Sequence, residues 1–187
     1  MFLVAFLVLA FLSVPLLGGK VARLAEVEIK HTWAVMAALG LQIMVITVMP
    51  EAHPGALAIA HIFSYAFAGF FLWVNRTVPG LVILGIGWAM NALVILVNGG
   101  IMPAAAHLAN AGARGTDTTG FLNSQPLDSP RLSFLGDNFS LPQSWPLHNV
   151  FSLGDIFIAL GAFVALHWIC GSVVARAFHR RQPATAS

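Results

Sequence analysis

Five apolar runs, separated by short polar breaks and one long mixed segment, set the pattern of this chain. Residues 2–17, 32–49, 55–74, 80–97 and 153–175 are almost continuously apolar. A helix crosses a bilayer with roughly 20 mostly apolar residues, and each run meets that requirement at least loosely. The pattern predicts an all-α polytopic membrane protein with five transmembrane helices. Residues 1–187 then form one membrane domain, with a long outer loop over 98–152 and a tail over 176–187.

The breaks carry helix punctuation. Pro54 and Pro79 stand near the starts of spans three and four, where the missing N–H costs nothing. Asn98-Gly99-Gly100 closes span four and Pro103 prevents its continuation, because glycine tolerates the left-handed conformation of a helix end. The first run has no cationic stretch before it, and Leu16-Leu17-Gly18-Gly19-Lys20 follows instead of a small-residue cleavage site. It is therefore read as a retained span.

Composition strengthens the membrane reading. The chain is 58% hydrophobic and 9% charged, against about 25% charged in soluble domains. Such a chain cannot cover itself with polar surface in water. The isoelectric point of 9.2 comes with a net charge of only +2, and the cations lie near span ends, so no nucleic-acid partner is expected. Cys170 is the one cysteine, which rules out an internal disulfide.

Lysine and arginine orient the spans. Lys20, Arg23, Lys30, Arg76, Arg176, Arg180 and Arg181 all fall on one face when five spans alternate. The amino terminus and segment 98–152 are then outside and the carboxyl tail is cytoplasmic, as in a bacterial inner membrane. The outer segment is far longer than the roughly 12–15 residues of an ordinary unstructured connection. It opens on Pro103-Ala-Ala-Ala-His107-Leu-Ala-Asn110, expected as a short interfacial helix. Thr116 to Thr119, Asn123-Ser124-Gln125-Pro126 and Asp128-Ser129-Pro130 follow and read as turns. Scattered Phe and Leu residues point to a partly ordered cap over the span ends.

Candidate chemistry sits at two levels. Gln42, His61 and Asn91 place hydrogen-bonding side chains in three spans, on the order of 10 Å below the outer boundary at 1.5 Å per residue. Ser64 and Tyr65 share a helix face with His61. The plainer account is bonding between helices. The sharper account is a ligand-binding pocket of Gln42, His61, Tyr65 and Asn91, extended by Asn98 and Asn149 at the span ends. His167 lies deeper, in span five, and receives no role. Of the seven histidines, no pair has the i, i+4 spacing of a helical zinc site, so neither a metal nor a cofactor is assigned.

Asp137 and Asp155 form the second level. Ser152 to Asp155 fits a capping box ahead of an apolar run, which explains Asp155 without catalysis. Asp137 fits a turn equally well. In the alternative, Pro142 and Pro146 fold the intervening chain back and bring the two carboxylates together. Close carboxylates share a proton, one acting as base towards water and the other as acid.

Two resemblances follow from these residues. Phe151-Ser-Leu-Gly-Asp155 ahead of an apolar span is similar to the Phe-Asn-x-Ala-Asp motif of bacterial lipoprotein signal peptidases. That similarity implies an aspartic endopeptidase with Asp155 as its second aspartate. Ser152 replaces the family's asparagine, Gly136-Asp137-Asn138 only partly echoes the first motif, and there are five spans rather than four. Across nearly the whole chain run Gly18-Gly19-Lys20 with Arg23-Leu24, Asn98-Gly99-Gly100-x-Met102-Pro103, Leu135-Gly136-Asp137 and Asn149-Val-Phe-Ser-Leu-Gly-Asp155. In that order they resemble a family of bacterial multi-span membrane proteins known only as a domain of unknown function. The leading expectation is an integral inner-membrane protein that binds a lipid, a small ligand or another membrane protein at its outer face. A hydrolase using Asp137 and Asp155 is the alternative.

Overall fold

The apolar runs fold as helices of nearly the expected extents. A computed structural model describes residues 2–48, 53–105, 124–142 and 150–179. Helices α1 (Phe2–Leu16), α2 (Thr32–Ile43, continued by a π turn over Met44–Val48), α3 (Pro54–Val74), α4 (Leu81–Val97) and α5 (Leu153–Cys170) dominate, and a short α6 (Val173–His179) follows. Two of the apolar helices, Gly55–Val74 and Leu153–Cys170, are long and apolar enough to cross a membrane; Leu3–Leu16, Thr32–Ile43 and Leu81–Val97 are shorter.

The helices pack side by side in the order α2, α3, α4, α5, α1, with α4 against α5 the most extensive contact. Glycine makes that contact close. A Cβ at Gly87 would overlap the backbone of Gly154 and Ile158, and one at Gly161 would overlap the backbone of Leu84. Small residues let two helix backbones approach in this way. The pairing is antiparallel, since residues 80–91 of one helix meet 165–152 of the other in reverse order.

Parallel helices α1 and α5 are joined twice. His167, unassigned from sequence, is fully buried between them. Ser13 Oγ donates to Ala10 O at 2.8 Å and lies 3.0 Å from His167 Nε2. Having given its proton away, the hydroxyl accepts, so a neutral ring carries its proton on Nε2. Nδ1 then accepts from Ser172 Oγ at 2.9 Å. Beyond the helix ends, Lys20 N–H donates to Cys170 O at 2.8 Å and Val173 N–H donates to Leu17 O at 2.9 Å. The two C-terminal turns are thereby tied reciprocally.

The outward faces remain apolar on every long helix, from Leu9 and Leu16 through Met36, Phe63 and Trp73 to Ile86 and Leu160. Contiguous exposure of this kind is rare in water-soluble monomers.

Three expectations need correction. The fold is mostly helical but not purely so, because the segment between α4 and α5 contains β1 (Met102–Pro103), β2 (Ser124–Gln125), β3 (Asp137–Ser140) and β4 (Val150–Ser152). β1 pairs in parallel with β2, and β3 pairs antiparallel with β4. Accordingly Ser124 and Gln125 lie in a ladder rather than a turn. Second, Pro103 starts no helix: it lies in β1, and Ala104 bridges to Asp137. Third, the last apolar run, expected as one helix to residue 175, is broken after Cys170 and resumes as α6 at Val173. Gly171 adopts φ 63° there, a left-handed helix end that glycine takes without strain. His107 to Asn110, Thr116 to Thr119, Pro146, Asn149 and the tail from Arg180 lie outside the described residues.

Candidate functional site

Asp155 owes its position first to helix-start chemistry. Ser152 is the N-cap of α5 and its Oγ accepts from Asp155 N–H at 3.0 Å. Asp155 Oδ2 accepts from Ser152 N–H at 3.1 Å, which completes the capping box. A negative charge is also favoured in the first turn by the helix dipole.

The capping box does not end there. Asn91, buried on α4, donates from Nδ2 to Asp155 Oδ1 at 2.8 Å and accepts from Ser152 Oγ at 2.9 Å. The amide orientation follows from the chemistry, since its oxygen would repel the carboxylate. Asn91 Oδ1 also fills the space that a Cβ at Gly154 would need. One asparagine thus binds both members of a cap on the neighbouring helix.

Asp137 approaches the same place from the connecting segment. It opens β3 with Ser152 as its cross-strand partner. Ala105 N–H donates to its carbonyl at 3.0 Å, and Ser124 Oγ donates to its Oδ2. The ladders leave Asp137 only 6% exposed. Burial pushes its carboxyl up to about 6; the Ser124 hydrogen bond opposes this and the Asp155 charge adds to it. The two aspartates therefore interact electrostatically, and Tyr65 on α3 lies within electrostatic reach of both.

The remaining predicted residues divide into structural sets. His61 is buried and its Nδ1–H donates to Gly100 O at 2.8 Å, since a carbonyl can only accept. Ser64 Oγ donates to His61 O at 2.6 Å, and Gln42 Nε2 donates to Ser64 Oγ at 3.3 Å. This chain links α2, α3 and the turn after α4. Asn98 donates to Val94 O and Arg131 O at 2.7 and 2.9 Å and accepts from Arg131 N–H at 2.8 Å. It fastens the connecting segment to the end of α4. Asn149 lies outside the described residues.

Among the described residues, Asn91 hydrogen-bonds to Asp155 and Ser152, whereas Gln42 bonds to Ser64, which donates to the His61 carbonyl. The His61 ring in turn meets Tyr65 edge-on, with centroids 5.3 Å apart. Ser124 was not singled out by sequence reasoning, and a lone serine among turn-forming residues gives no signal for it. Among the described residues, no three His, Cys, Asp or Glu side chains group as metal ligands.

Residues 26–167 match a family of unknown function (DUF5317), and the chain belongs to that family. An uncharacterized protein of Thermotoga maritima is 30% identical over 103 residues, covering 51% of this chain and 54% of that relative. The match thus spans about half of the relative's length. No solved structure matches the chain.

Proposed function

We propose that this DUF5317 member is a five-span protein of a bacterial inner membrane, amino terminus outside and carboxyl tail in the cytoplasm. At its outer end it binds a lipid headgroup or small ligand through Asp137, Asp155 and Asn91. The apolar outward faces of five neighbouring helices support the membrane part. At 1.5 Å per residue, α3 is about 32 Å long and α5 about 27 Å, close to the roughly 30 Å hydrocarbon core. The shorter helices fit by local thinning and flanking side chains. Lys20, Arg23, Lys30, Arg76 and Arg176 gather at the opposite end from the aspartates, as the charge rule expects.

One observation carries the binding part: Asp137 is buried within electrostatic reach of Asp155, where burial makes the Asp137 charge costly. Removing an ion from water costs several kcal/mol unless a partner compensates. Hydrogen bonds from Ser124 and Asn91 supply part of that, but no cation does so among the described residues. A ligand bearing a protonated amine supplies both the charge and charge-assisted hydrogen bonds.

The test is thermal unfolding of the detergent-purified protein with short-chain phosphatidylethanolamine or the matching phosphatidylcholine. The ethanolamine headgroup can donate hydrogen bonds to carboxylates, whereas the choline headgroup cannot. Near saturation, at 100 times Kd, ligand binding adds about 2.7 kcal/mol, a rise of roughly 5–10 °C at this size. The rise is expected with the ethanolamine lipid alone and is lost in D137N/D155N. An equal rise with both lipids, or one that survives in D137N/D155N, overturns the assignment.

A second reading is favoured by the Asp137 carboxyl at about 6, a value suited to proton transfer near neutral pH. Asp155 would take a proton from water as it attacks a peptide carbonyl, and protonated Asp137 would give one to the departing amine. Cleavage of membrane peptides, followed by mass spectrometry, should then disappear in D155N. Equal products from wild type and D155N would dismiss it.

A further inference from the structure

The opposite end of the helix row holds a cavity of about 390 Å³ lined by Lys20, Arg23, Arg176 and Trp168. Among the described residues no acidic side chain lines it. The cations are held in crossed positions. Arg23, which follows α1, lays Nη1 where a Cβ of Gly171 at the end of α5 would stand. Arg176, which follows α5, lays Nη2 3.2 Å from where a Cβ of Gly18 at the end of α1 would stand. Each guanidinium thus rests on the glycine that closes the other helix. Both glycines have positive φ, 68° and 63°, so replacing either would strain the backbone as well as fill the space.

Compensation of helix dipoles does not account for this much charge. A helix C-terminus is equivalent to roughly half a negative charge. Two such ends offset about one of three cations and leave an excess near +2. The excess is concentrated in a recess, where fixed donors meet an anion from several directions. Arginine and lysine on a tripod of this kind are suited to phosphate oxygens.

The surroundings decide the source of the phosphate. Leu9, Leu12 and Leu16 form an exposed apolar strip along α1, whose C-terminal end borders the cavity through Gly18, and Leu16 is 84% exposed. A free phosphate has no use for that strip, while a lipid with its headgroup in the cavity lays its acyl chains along it. We infer that the cavity between the C-terminal ends of α1 and α5 is a binding site for the phosphate headgroup of an anionic lipid in the cytoplasmic leaflet. Basic pockets between membrane helices on the cytoplasmic side recognise such headgroups. The site rests on the membrane reading proposed above, but not on the aspartate cluster.

The experiment proceeds in two stages so that each idea can fail separately. Flotation of the full chain with vesicles after alkaline extraction reads membrane insertion alone. If the protein stays at the bottom, the membrane reading fails. Inserted protein is then placed in phosphatidylcholine nanodiscs containing a minor fraction of phosphatidylglycerol, and retained lipids are counted by native mass spectrometry. Wild type should enrich phosphatidylglycerol over phosphatidylcholine. Each basic side chain near an anionic surface contributes about 5-fold, so R23Q/R176Q should lower the enrichment about 25-fold. The R131Q control at the other end should leave it unchanged, and R23K/R176K should keep most of it. Equal retention of both lipids by wild type, or unchanged enrichment in R23Q/R176Q, overturns the site. Phosphate binding detected by phosphorus NMR without any phosphatidylglycerol enrichment overturns the lipid assignment in favour of a free anion.

Discussion

Charge is handled in opposite ways at the two ends of α5. At its first turn Asp155 is bonded by Asn91 and by the backbone of its own cap, and Asp137 is buried nearby under a ladder and a serine. At its last turn Arg23 and Arg176 rest on glycine backbones beside an open cavity with no acid in its lining among the described residues. The acids are bound into the fold, so any ligand there competes with structural hydrogen bonds. The cations hold little together and are available. It follows that substitutions at the acidic end should disturb stability and binding together, whereas those at the basic end should disturb binding far more than stability.

The largest departure from wild type is expected from Asn91→Leu. Leucine fills similar space but leaves Asp155 Oδ1 and Ser152 Oγ without their partner. A lost bond to a charged group and an orphaned buried hydroxyl together cost about 3 kcal/mol. At this chain length that is a fall of roughly 6–12 °C in Tm, measurable by thermal unfolding in mild detergent. A change below about 1 kcal/mol would mean that the acidic end is as loosely committed as the basic one, and the contrast between them would collapse.

How far this contrast was visible in the sequence depends on separation along the chain. The helices were readable because each apolar run is local and long. So was the capping box, whose two members lie three residues apart. The ladders were not, since strands of two to four residues are too short to display a two-residue period. Ser124 and Gln125 accordingly passed for turn-formers. Asn91 and Asp155 are 64 residues apart, and only the glycine-permitted approach of α4 and α5 brings them together. Depth counting put Asn91 at the level of Gln42 and His61 but said nothing of the direction in which each amide points. At the basic end, Gly171 was a breaker in plain view, and continuing the last span past it overrode that signal with hydropathy. The crossed arginines required two loop conformations at once, for which no local pattern exists.

Asp137→Asn sharpens the comparison through pH, with a smaller effect. The carboxyl stands at about 6 against an ordinary 3.8, so between these values the folded state holds a proton that the unfolded chain releases. Stability from this group is therefore fully present below about pH 4 and is lost as pH rises through about 6. A shift of about two units corresponds to roughly 3 kcal/mol. Asparagine removes the titration and keeps an oxygen for Ser124, though with a weaker, uncharged bond. D137N should gain about 1–2 kcal/mol over wild type at pH 7 and lose the advantage near pH 4. Parallel pH–stability curves for the two proteins would show that Asp137 is not charged and buried in the way described.

The smallest effect on stability is expected from R23Q/R176Q. A cation near a helix C-terminus contributes about 0.3–1 kcal/mol at an exposed site, and salt screens it. Removing two should therefore cost at most about 1–2 kcal/mol at low ionic strength and little at high salt. The same variant should lose most of its preference for phosphatidylglycerol. That split separates a binding site from a structural brace: a brace predicts a stability loss that persists in salt and leaves lipid retention unchanged. If R23Q/R176Q fell as far in Tm as Asn91→Leu, the crossed guanidinium groups would be holding α1 to α5. The two ends of α5 would then obey one rule instead of two.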